Sequence, residues 1–226
     1  MLYGCDSNSD HFPCGSADFY IGRLGYGTTK DLSVFNSSTA ATVRWNNTFG
    51  YWFVQGPNDA SPPATTDTEA YSWGQSQASA AASAWATTQG VCRSIIFADI
   101  EGNPVLGTNG WGTNTSLNQK VWEGFYNQLA ADPHKFLVGL YSTSEQWDAI
   151  MGSGYGVPSG TTVWSADLTN SNGSNGPEPC GGCPTSFPSN LGTIGGIAPT
   201  IWQYNQNTGQ PPTCADDLDA ALSLPI

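Results

Sequence analysis

The sequence predicts an α/β fold, a single irregular β/α barrel with fewer than eight outer helices, formed as one domain by residues 1–226. Strand-like segments alternate with helical ones as far as Met151, a pattern typical of a parallel sheet. Beyond Met151 the helical periodicity is lost, and a segment rich in Gly, Pro, Ser and Asn follows. The length of 226 residues fits one large domain with a substantial core, and no linker divides the chain.

The predicted elements follow from local composition. Helices are clearest over residues 67–90, an Ala-rich stretch ending at a C-capping Gly90, and over residues 116–131. A shorter helix over residues 144–151 has Ser144 as its candidate N-cap. Residues 169–198 hold too many helix breakers for a helix, and a loop of this length is usually functional or cross-linked. The strand-like segments are residues 2–6, 18–25, 50–56, 93–101, 136–143, 161–168 and 199–205.

The composition excludes two classes of partner. Six Lys and Arg residues face 18 Asp and Glu residues, so phosphate backbones would repel the chain and we expect no nucleic-acid partner. No run of 18 apolar residues is present, so we expect no membrane-spanning helix and no membrane partner. Nine Trp, nine Tyr and nine Phe residues among small polar residues suit a surface that stacks on sugar rings, although most Trp residues in any domain belong to its core or rim.

The six cysteines indicate an oxidising compartment. The Cys180-Gly-Gly-Cys183 segment could bind zinc, but neither His11 nor His134 lies in a pattern that would complete such a site, and we expect no metal and no cofactor. Few Lys residues and many Asn, Ser and Thr residues favour disulfides and a secreted, extracellular protein. Met1 opens directly onto a strand-like segment, so we expect that a natural leader was removed ahead of it.

Six cysteines allow 15 connectivities, and the sequence does not choose among them. We expect Cys180 and Cys183 to be joined or to tie down the same loop, Cys5 to pair with Cys14, and Cys92 to pair by default with Cys214.

Asp99 and Glu101 are candidate catalytic residues. They alternate at the end of the segment over residues 93–101, so both point to the same face of the strand. Barrel enzymes carry their chemistry at the C-terminal ends of the strands. Two close carboxylates cannot both ionise freely, so one of them has a raised pKa and can act as an acid. The alternative is a pair that only solvates the turn before Gly102, and the motif by itself leaves both interpretations open.

Six motifs occur in order along nearly the whole chain. They are Tyr3-Gly4-Cys5-Asp6, Asp99-Ile100-Glu101-Gly102, Gly139-Leu140-Tyr141-Ser142, Trp164-Ser165-Ala166, Trp202-Gln203-Tyr204 and Asp217-Leu218-Asp219. In this combination and order they resemble the family 25 glycoside hydrolases, the lysozyme-type muramidases, together with their relatives of unassigned function. Three features depart from that pattern: Asp219 stands where Asn is usual, Cys5 and the Cys180 loop are not common, and residues 71–90 look more like the unassigned relatives.

The resemblance implies an irregular TIM-like barrel whose last strands lack helices. It also implies cleavage of the β-1,4 bond after N-acetylmuramic acid in peptidoglycan. Glu101 would be the general acid/base, and Asp99 would stabilise the reacting N-acetyl group or the intermediate. Asp6 and Asp217 would complete an acidic ring in the cleft.

Further candidates lie on the strand-like segments. Tyr141, Trp164, Trp202 and Tyr204 are candidate substrate-binding residues, because an aromatic ring at a cleft mouth can stack on sugar while its polar edge stays hydrogen-bonded; the alternative is barrel core. Gln203 alternates with its two aromatic neighbours and is expected to face the other way. Arg23 is a fifth binding candidate, expected to neutralise Asp6. Asp167 is expected in a turn and His134 in a surface loop.

These observations favour a secreted, monomeric glycoside hydrolase that acts on a polysaccharide, most simply peptidoglycan. Two alternatives stay open: a glycosidase for another N-acetylated polysaccharide, and a non-catalytic carbohydrate-binding protein on the same fold. The net charge of -12 argues mildly against an anionic cell wall as substrate. A serine hydrolase is disfavoured because the chain has no Gly-x-Ser-x-Gly motif.

Overall fold

The computed structural model describes residues 1–7, 18–36, 47–88, 92–166, 186–205 and 217–225, and all of the following strands and helices belong to this part of the chain. Its strands are β1 Leu2–Ser7, β2 Phe19–Tyr26, β3 Thr29–Lys30, β4 Thr48–Phe53, β5 Ile95–Asp99, β6 Leu137–Ser142, β7 Val163–Ala166, β8 Ile201–Asn205 and β9 Asp217–Ala221. Its helices are α1 Ser33–Asn36, α2 Asp67–Thr87, α3 Thr115–Ala130 and α4 Ser144–Met151. Two 3₁₀ turns, Pro57–Asp59 and Thr108–Gly110, lie in the connections that follow β4 and β5.

Eight strands close into a barrel in the order β1, β2, β4, β5, β6, β7, β8, β9 and back to β1. Neighbouring strands from β1 to β8 run parallel, whereas β9 is antiparallel to both β8 and β1. β3 forms a short antiparallel hairpin with β2 outside the ring. The irregular TIM-like α/β barrel with fewer than eight outer helices is therefore confirmed. In the described part of the chain, no helix is long and apolar enough to cross a membrane.

The barrel interior is filled by apolar side chains from alternate strand positions. Phe97 lies among them and contacts Phe49 and Trp164 edge to face, with ring centroids 6.3 and 5.8 Å apart. Because this layer fills the barrel below the strand ends, polar side chains gather at the carboxyl ends of the parallel strands. The layer consists of Phe19, Ile21, Phe49, Tyr51, Ile95, Phe97, Tyr141, Trp164, Ile201 and Ala221.

Helices α2, α3 and α4 pack on the outer face of β4 to β7. A capping box begins α2: the Thr66 hydroxyl accepts from the amide of Glu69, and the Glu69 carboxylate accepts from the amide of Thr66. α2 and α3 approach closely because Gly74 faces the carbonyl of Val121, and Gly124 faces that of Tyr71. These two helices thereby form a tight layer behind the strand that carries Asp99.

Several element boundaries differ from the sequence-based predictions. The N-cap of α4 is Thr143, not Ser144, because its hydroxyl accepts the amide of Gln146. β5 ends at Asp99, so Glu101 lies in the loop after the strand. The sequence predicted neither β3 nor α1, and it indicated β9 only as a motif. No helix occurs in the described residues 186–200 between β7 and β8, as the breaker-rich composition predicts.

Each of the expected disulfides involves at least one cysteine that lies outside the described residues. Cys5 is buried in β1, while Cys14, Cys180 and Cys183 lie outside the described residues. Cys92 is buried as well, and burial raises the pKa of its thiol to about 12. Its expected partner Cys214 lies outside the described residues, so the three pairings stay predictions. Asp167, which was expected in a turn, also lies outside the described residues.

Candidate active site

Four carboxylates surround one tyrosine at the carboxyl end of the barrel. Burial raises the pKa of Tyr141 well above its ordinary value, and the charges of Glu101, Asp99, Asp6 and Asp217 raise it further. Their convergence follows from topology. Asp99 ends β5, and Asp6 lies near the end of β1, beside Asp217 at the start of antiparallel β9. The structure therefore brings together all four carboxylates that the sequence predicts as catalytic.

Gln203 links three of these residues. Its Nε2 donates hydrogen bonds to Oδ2 of Asp217 at 2.6 Å and to Oδ2 of Asp6 at 3.2 Å. Its Oε1 accepts the hydroxyl of Tyr141 at 2.6 Å. With 3% of its surface exposed, the side chain is fully enclosed by the ring that it joins. Gln203 is thus a site residue that was not among those predicted from the sequence.

Asp99 is more deeply buried than Glu101, the other candidate catalytic acid of this segment. Burial raises its pKa well above the ordinary value, the charge of Glu101 raises it further, and Arg23 opposes both. Its Oδ1 has no hydrogen-bond partner among the described residues. A buried carboxylate without full hydrogen bonding is costly, so Asp99 favours its neutral form.

Glu101 is partly exposed, which distinguishes it from Asp99. Burial raises its pKa, the charge of Asp217 raises it further, and the neighbouring Tyr141 hydroxyl acts in the opposite direction. A carboxyl that has a raised pKa and also reaches solvent can donate a proton to a bound molecule. Of the four acids, Glu101 therefore has the surroundings of a general acid.

Backbone and side-chain hydrogen bonds fix the segment that carries Glu101. Before it, the carbonyl of Ile100 accepts the hydroxyl of Ser142 at 2.8 Å, and the amide of Ile100 donates to the carbonyl of Tyr141. After it, the carbonyl of Glu101 itself accepts Nδ2 of Asn109 at 2.9 Å. Gly102 follows with a φ of 147°, which side-chain-bearing residues rarely adopt. The turn at Gly102 thus sets where the Glu101 carboxyl points.

Aromatic side chains form the floor of the site. Trp164 packs against Tyr141 with ring centroids 4.3 Å apart, and its Nε1 donates to Oδ1 of Asp219 at 2.8 Å. Only 2% of Trp164 is exposed, so it supports Tyr141 from below and offers no open ring face for stacking. Tyr51 also belongs to this floor: burial raises its pKa, as do the charges of Asp99 and Asp6. Its alternation with Phe49 in the strand was a signal that could have identified it.

The predicted binding residues Trp202 and Tyr204 face away from the carboxylates. They pack together with ring centroids 5.5 Å apart and belong to an outer cluster with Leu191 and Phe187. Strand alternation predicts Gln203 on the face opposite these aromatics, and that alternation is confirmed. The face assigned to the cleft was wrong, because the amide points inward and the rings point outward.

Arg23 lies near the ring but has a different partner from the one expected. Its guanidinium forms a hydrogen-bonded ion pair with Asp31, which follows β3, and not with Asp6. It lies 5.9 Å from the ring centroid of Tyr26 and still lowers the pKa of Asp99 through its charge.

No group of three or more His, Cys, Asp or Glu side chains in the described part of the chain is placed so that it could hold a metal ion. His134 lies on the surface, bonded to Asp132.

No protein-family model and no curated protein sequence matches the chain. Solved structures do match it over nearly its whole length. A muramidase from Acremonium alcalophilum superposes with a TM-score of 0.63 at 19% identity, covering 99% of this chain and 94% of that one. A family GH25 lysozyme from Aspergillus fumigatus gives 0.59 at 20% identity, with the same coverage of both chains. A bacterial lysozyme from Streptomyces coelicolor gives 0.61 at 19%, covering 98% and 92%. The chain therefore has the fold of the GH25 lysozymes and muramidases.

Proposed function

We propose that the chain is a glycoside hydrolase that cleaves the β-1,4 bonds of peptidoglycan as an N-acetylmuramoyl hydrolase, with Glu101 as its general acid/base. The observation that carries this proposal is the ring of four carboxylates around Tyr141, in which burial and neighbouring charge raise the pKa of both Asp99 and Glu101. Perturbed carboxyl pairs at strand ends mark sites of acid–base chemistry.

The reaction follows from the positions of the two acids. The raised pKa of Glu101 lets it hold a proton to higher pH than an ordinary Glu, and its partial exposure lets it donate that proton to the leaving glycosidic oxygen. The sugar ring then acquires oxocarbenium character, which the negative charges of Asp6 and Asp217 stabilise electrostatically. Asp99, which is more buried than Glu101, assists the acetamido group of the substrate or the intermediate. Glu101 finally takes a proton from the incoming water.

The neighbours in structure support this choice of substrate. Among them are proteins named muramidase and lysozyme. A further similar structure is the catalytic domain of an endolysin from a Listeria bacteriophage, which is 15% identical and covers 99% of this chain. We extend this activity to the present chain because its carboxylate ring can perform the same class of hydrolysis. We also propose that it acts as a secreted, single-domain monomer, on the basis of its composition and six cysteines.

The decisive experiment measures sugar release from peptidoglycan and from chitin. Wild type is compared with Glu101→Gln and with Glu145→Gln, the same substitution at an exposed site on α4. Loss of a general acid/base should lower the rate about 10²- to 10⁴-fold, whereas Glu145→Gln should leave it unchanged. Equal rates for Glu101→Gln and wild type would reject Glu101 as the acid.

The choice of polymer decides the substrate. Release from peptidoglycan alone supports the proposed activity. Release from chitin alone would identify another N-acetylated polysaccharide as the substrate, and the net charge of -12 would then match a neutral polymer better than an anionic wall. Glycan binding without release from either polymer would make the chain a carbohydrate-binding protein.

A further inference from the structure

Gln203 can adopt only one amide orientation in its surroundings. Ionised carboxylates only accept hydrogen bonds, so the NH₂ group must face Asp6 and Asp217 and the carbonyl oxygen must face Tyr141. The pairing of β8 with β9 shifts register between Gln203 and Asn205, so a bulge lies at this point of the ring. Bulges at barrel rims commonly re-aim a side chain beside an active site.

This orientation determines where the Tyr141 proton goes. A phenol has one proton, and the 2.6 Å bond directs it to Oε1 of Gln203. The same hydroxyl lies beside Glu101 and lowers its pKa, because a hydrogen bond from Tyr141 stabilises the ionised carboxylate. Gln203 and Glu101 therefore compete for one proton. Each donation to Gln203 removes that stabilisation from ionised Glu101.

We propose that Gln203 is a positioning residue that turns the Tyr141 proton away from Glu101 and so keeps Glu101 in its protonated, acid form. The catalytic meaning of this rests on the proposed function of Glu101. The hydrogen-bond arrangement itself does not depend on that function. Gln203 also bonds to Asp217, whose charge acts on Glu101, so a test must separate that effect from the one that passes through Tyr141.

Other groups also face Glu101 and must be held constant in a test. Asp217 on β9 raises the pKa of Glu101, Tyr141 on β6 lies beside it, and Glu101 in turn raises the pKa of Asp99 on β5. Asp6 on β1 faces the same hydroxyl. The remaining two groups are Tyr51 on β4 and Arg23 on β2, both of which interact with Asp99.

The test is a direct titration of Glu101 by carboxyl ¹³C NMR, which is practicable because the chain contains five Glu residues. Gln203→Met keeps the side-chain length but removes both hydrogen-bonding ends. It frees the Tyr141 proton to turn to Glu101, so the midpoint of Glu101 should move to lower pH. In a Tyr141→Phe background the same substitution should produce no such shift, because there is no proton to redirect.

Two further variants complete the experiment. Gln203→Glu keeps an acceptor for Tyr141 and adds a negative charge, so the midpoint should move to higher pH, the opposite direction. Gln77→Met is the matched control: Gln77 is equally buried and bonds to the backbone of Gln55 with both ends, but lies on α2 away from the ring. It should leave the midpoint unchanged.

The outcomes separate this inference from the proposed function. An unchanged midpoint in Gln203→Met, or an equal shift with and without the Tyr141 hydroxyl, overturns the inference. If Gln203→Met does not fold, Gln203→Glu is titrated with and without the Tyr141 hydroxyl, and a shift that is equal in both backgrounds overturns the inference. The expected shifts in a chain that hydrolyses no glycan would uphold the inference and reject the function. In an active chain, the alkaline limb of the pH–rate profile should move with the midpoint.

Discussion

At the scale of single residues, the acid strength of Glu101 depends on the groups around it. Burial raises its pKa first, and the negative charge of Asp217 raises it second. Asp217 itself is held in place by the 2.6 Å hydrogen bond from Nε2 of Gln203. The charge of Asp217 therefore acts on Glu101 from a fixed position, and its removal should lower the pKa of Glu101.

We expect Asp217→Asn to move the alkaline limb of the pH–rate profile to lower pH. A nearby negative charge disfavours ionised Glu101, so removing it lowers the pKa of Glu101 and the acid loses its proton earlier as pH rises. The measurement is hydrolysis rate against pH, with Asp148→Asn on the exposed side of α4 as the control. A profile that keeps its alkaline limb in Asp217→Asn would show that the charge of Asp217 does not reach Glu101.

The residue scale also shows where the sequence stops being sufficient. The alternation of Trp202, Gln203 and Tyr204 correctly separates the amide from the rings. It does not tell which face points into the barrel, because both faces of a strand in a covered barrel are buried. Trp202 has 1% and Gln203 has 3% of its surface exposed. Burial thus gives no sign of the inner face, which only the contacts of Gln203 reveal.

At the scale of elements, the packing of α2 against α3 depends on two glycines. A Cβ atom added to Gly124 would lie 2.1 Å from the carbonyl oxygen of Tyr71, and one added to Gly74 would lie 2.0 Å from that of Val121. Both neighbours are backbone atoms of a helix and cannot move aside individually. The sequence predicts both helices, but this contact joins distant segments, and local composition contains no signal for it.

We expect Gly124→Ala to destabilise the protein by about 1–3 kcal/mol, the usual cost of overpacking. Helix propensity alone gives the opposite sign, since Ala is favoured over Gly by about 1 kcal/mol inside a helix. The sign of the change in unfolding free energy, measured by urea denaturation, therefore tests the contact. Ser79→Ala, at an exposed position of α2, is the control and should leave stability unchanged or slightly higher. A stabilised Gly124→Ala variant would mean that the two helices can separate freely.

The end of β5 shows a related limit of prediction. Alternation placed Asp99 and Glu101 on one face of a strand, and both do belong to the carboxylate ring. The strand ends at Asp99, however, and Glu101 is positioned by the turn at Gly102 and the hydrogen bond from Asn109. Strand periodicity cannot predict such a loop, because its geometry is fixed by side chains several residues further along the chain.

At the scale of the whole molecule, barrel closure creates the site. Six motifs spread along the sequence are separated by long stretches, and the pairing of β9 with both β1 and β8 brings Asp217 beside Asp6. The antiparallel direction of β9 is what places its first residue at the carboxyl ends of the parallel strands. The sequence predicts the class of fold and the candidate acids. Pairing between the two ends of the chain adds the hydrogen bonds of Gln203.

Gathering acids in a buried ring should lower the stability of the whole fold. Above about pH 4 the unfolded chain has ionised aspartates, whereas burial and the charge of Glu101 keep folded Asp99 protonated to higher pH. The folded state then binds more protons than the unfolded state, so the free energy of unfolding falls as pH rises through this window. Asp99→Asn removes the ionisable group but keeps the shape of the side chain. The substitution should therefore stabilise the fold while removing a functional carboxyl group.

We therefore expect Asp99→Asn to gain stability over wild type progressively as pH rises above about pH 4, measured by urea denaturation across the range.

Asp31→Asn is the control, for which the effect on stability should have the opposite sign. Burial acts to raise the pKa of Asp31, but hydrogen bonds from Ser33 and the ion pair with Arg23 outweigh it and lower that pKa. Its contribution to stability is present above the unfolded pKa and is lost as pH falls through the folded one, so Asp31→Asn should be less stable than wild type at neutral pH, with the difference shrinking in acid. If the difference between Asp99→Asn and wild type did not change with pH, Asp99 would be ionised in the fold as it is in water, and the proton-retaining pair with Glu101 would not exist.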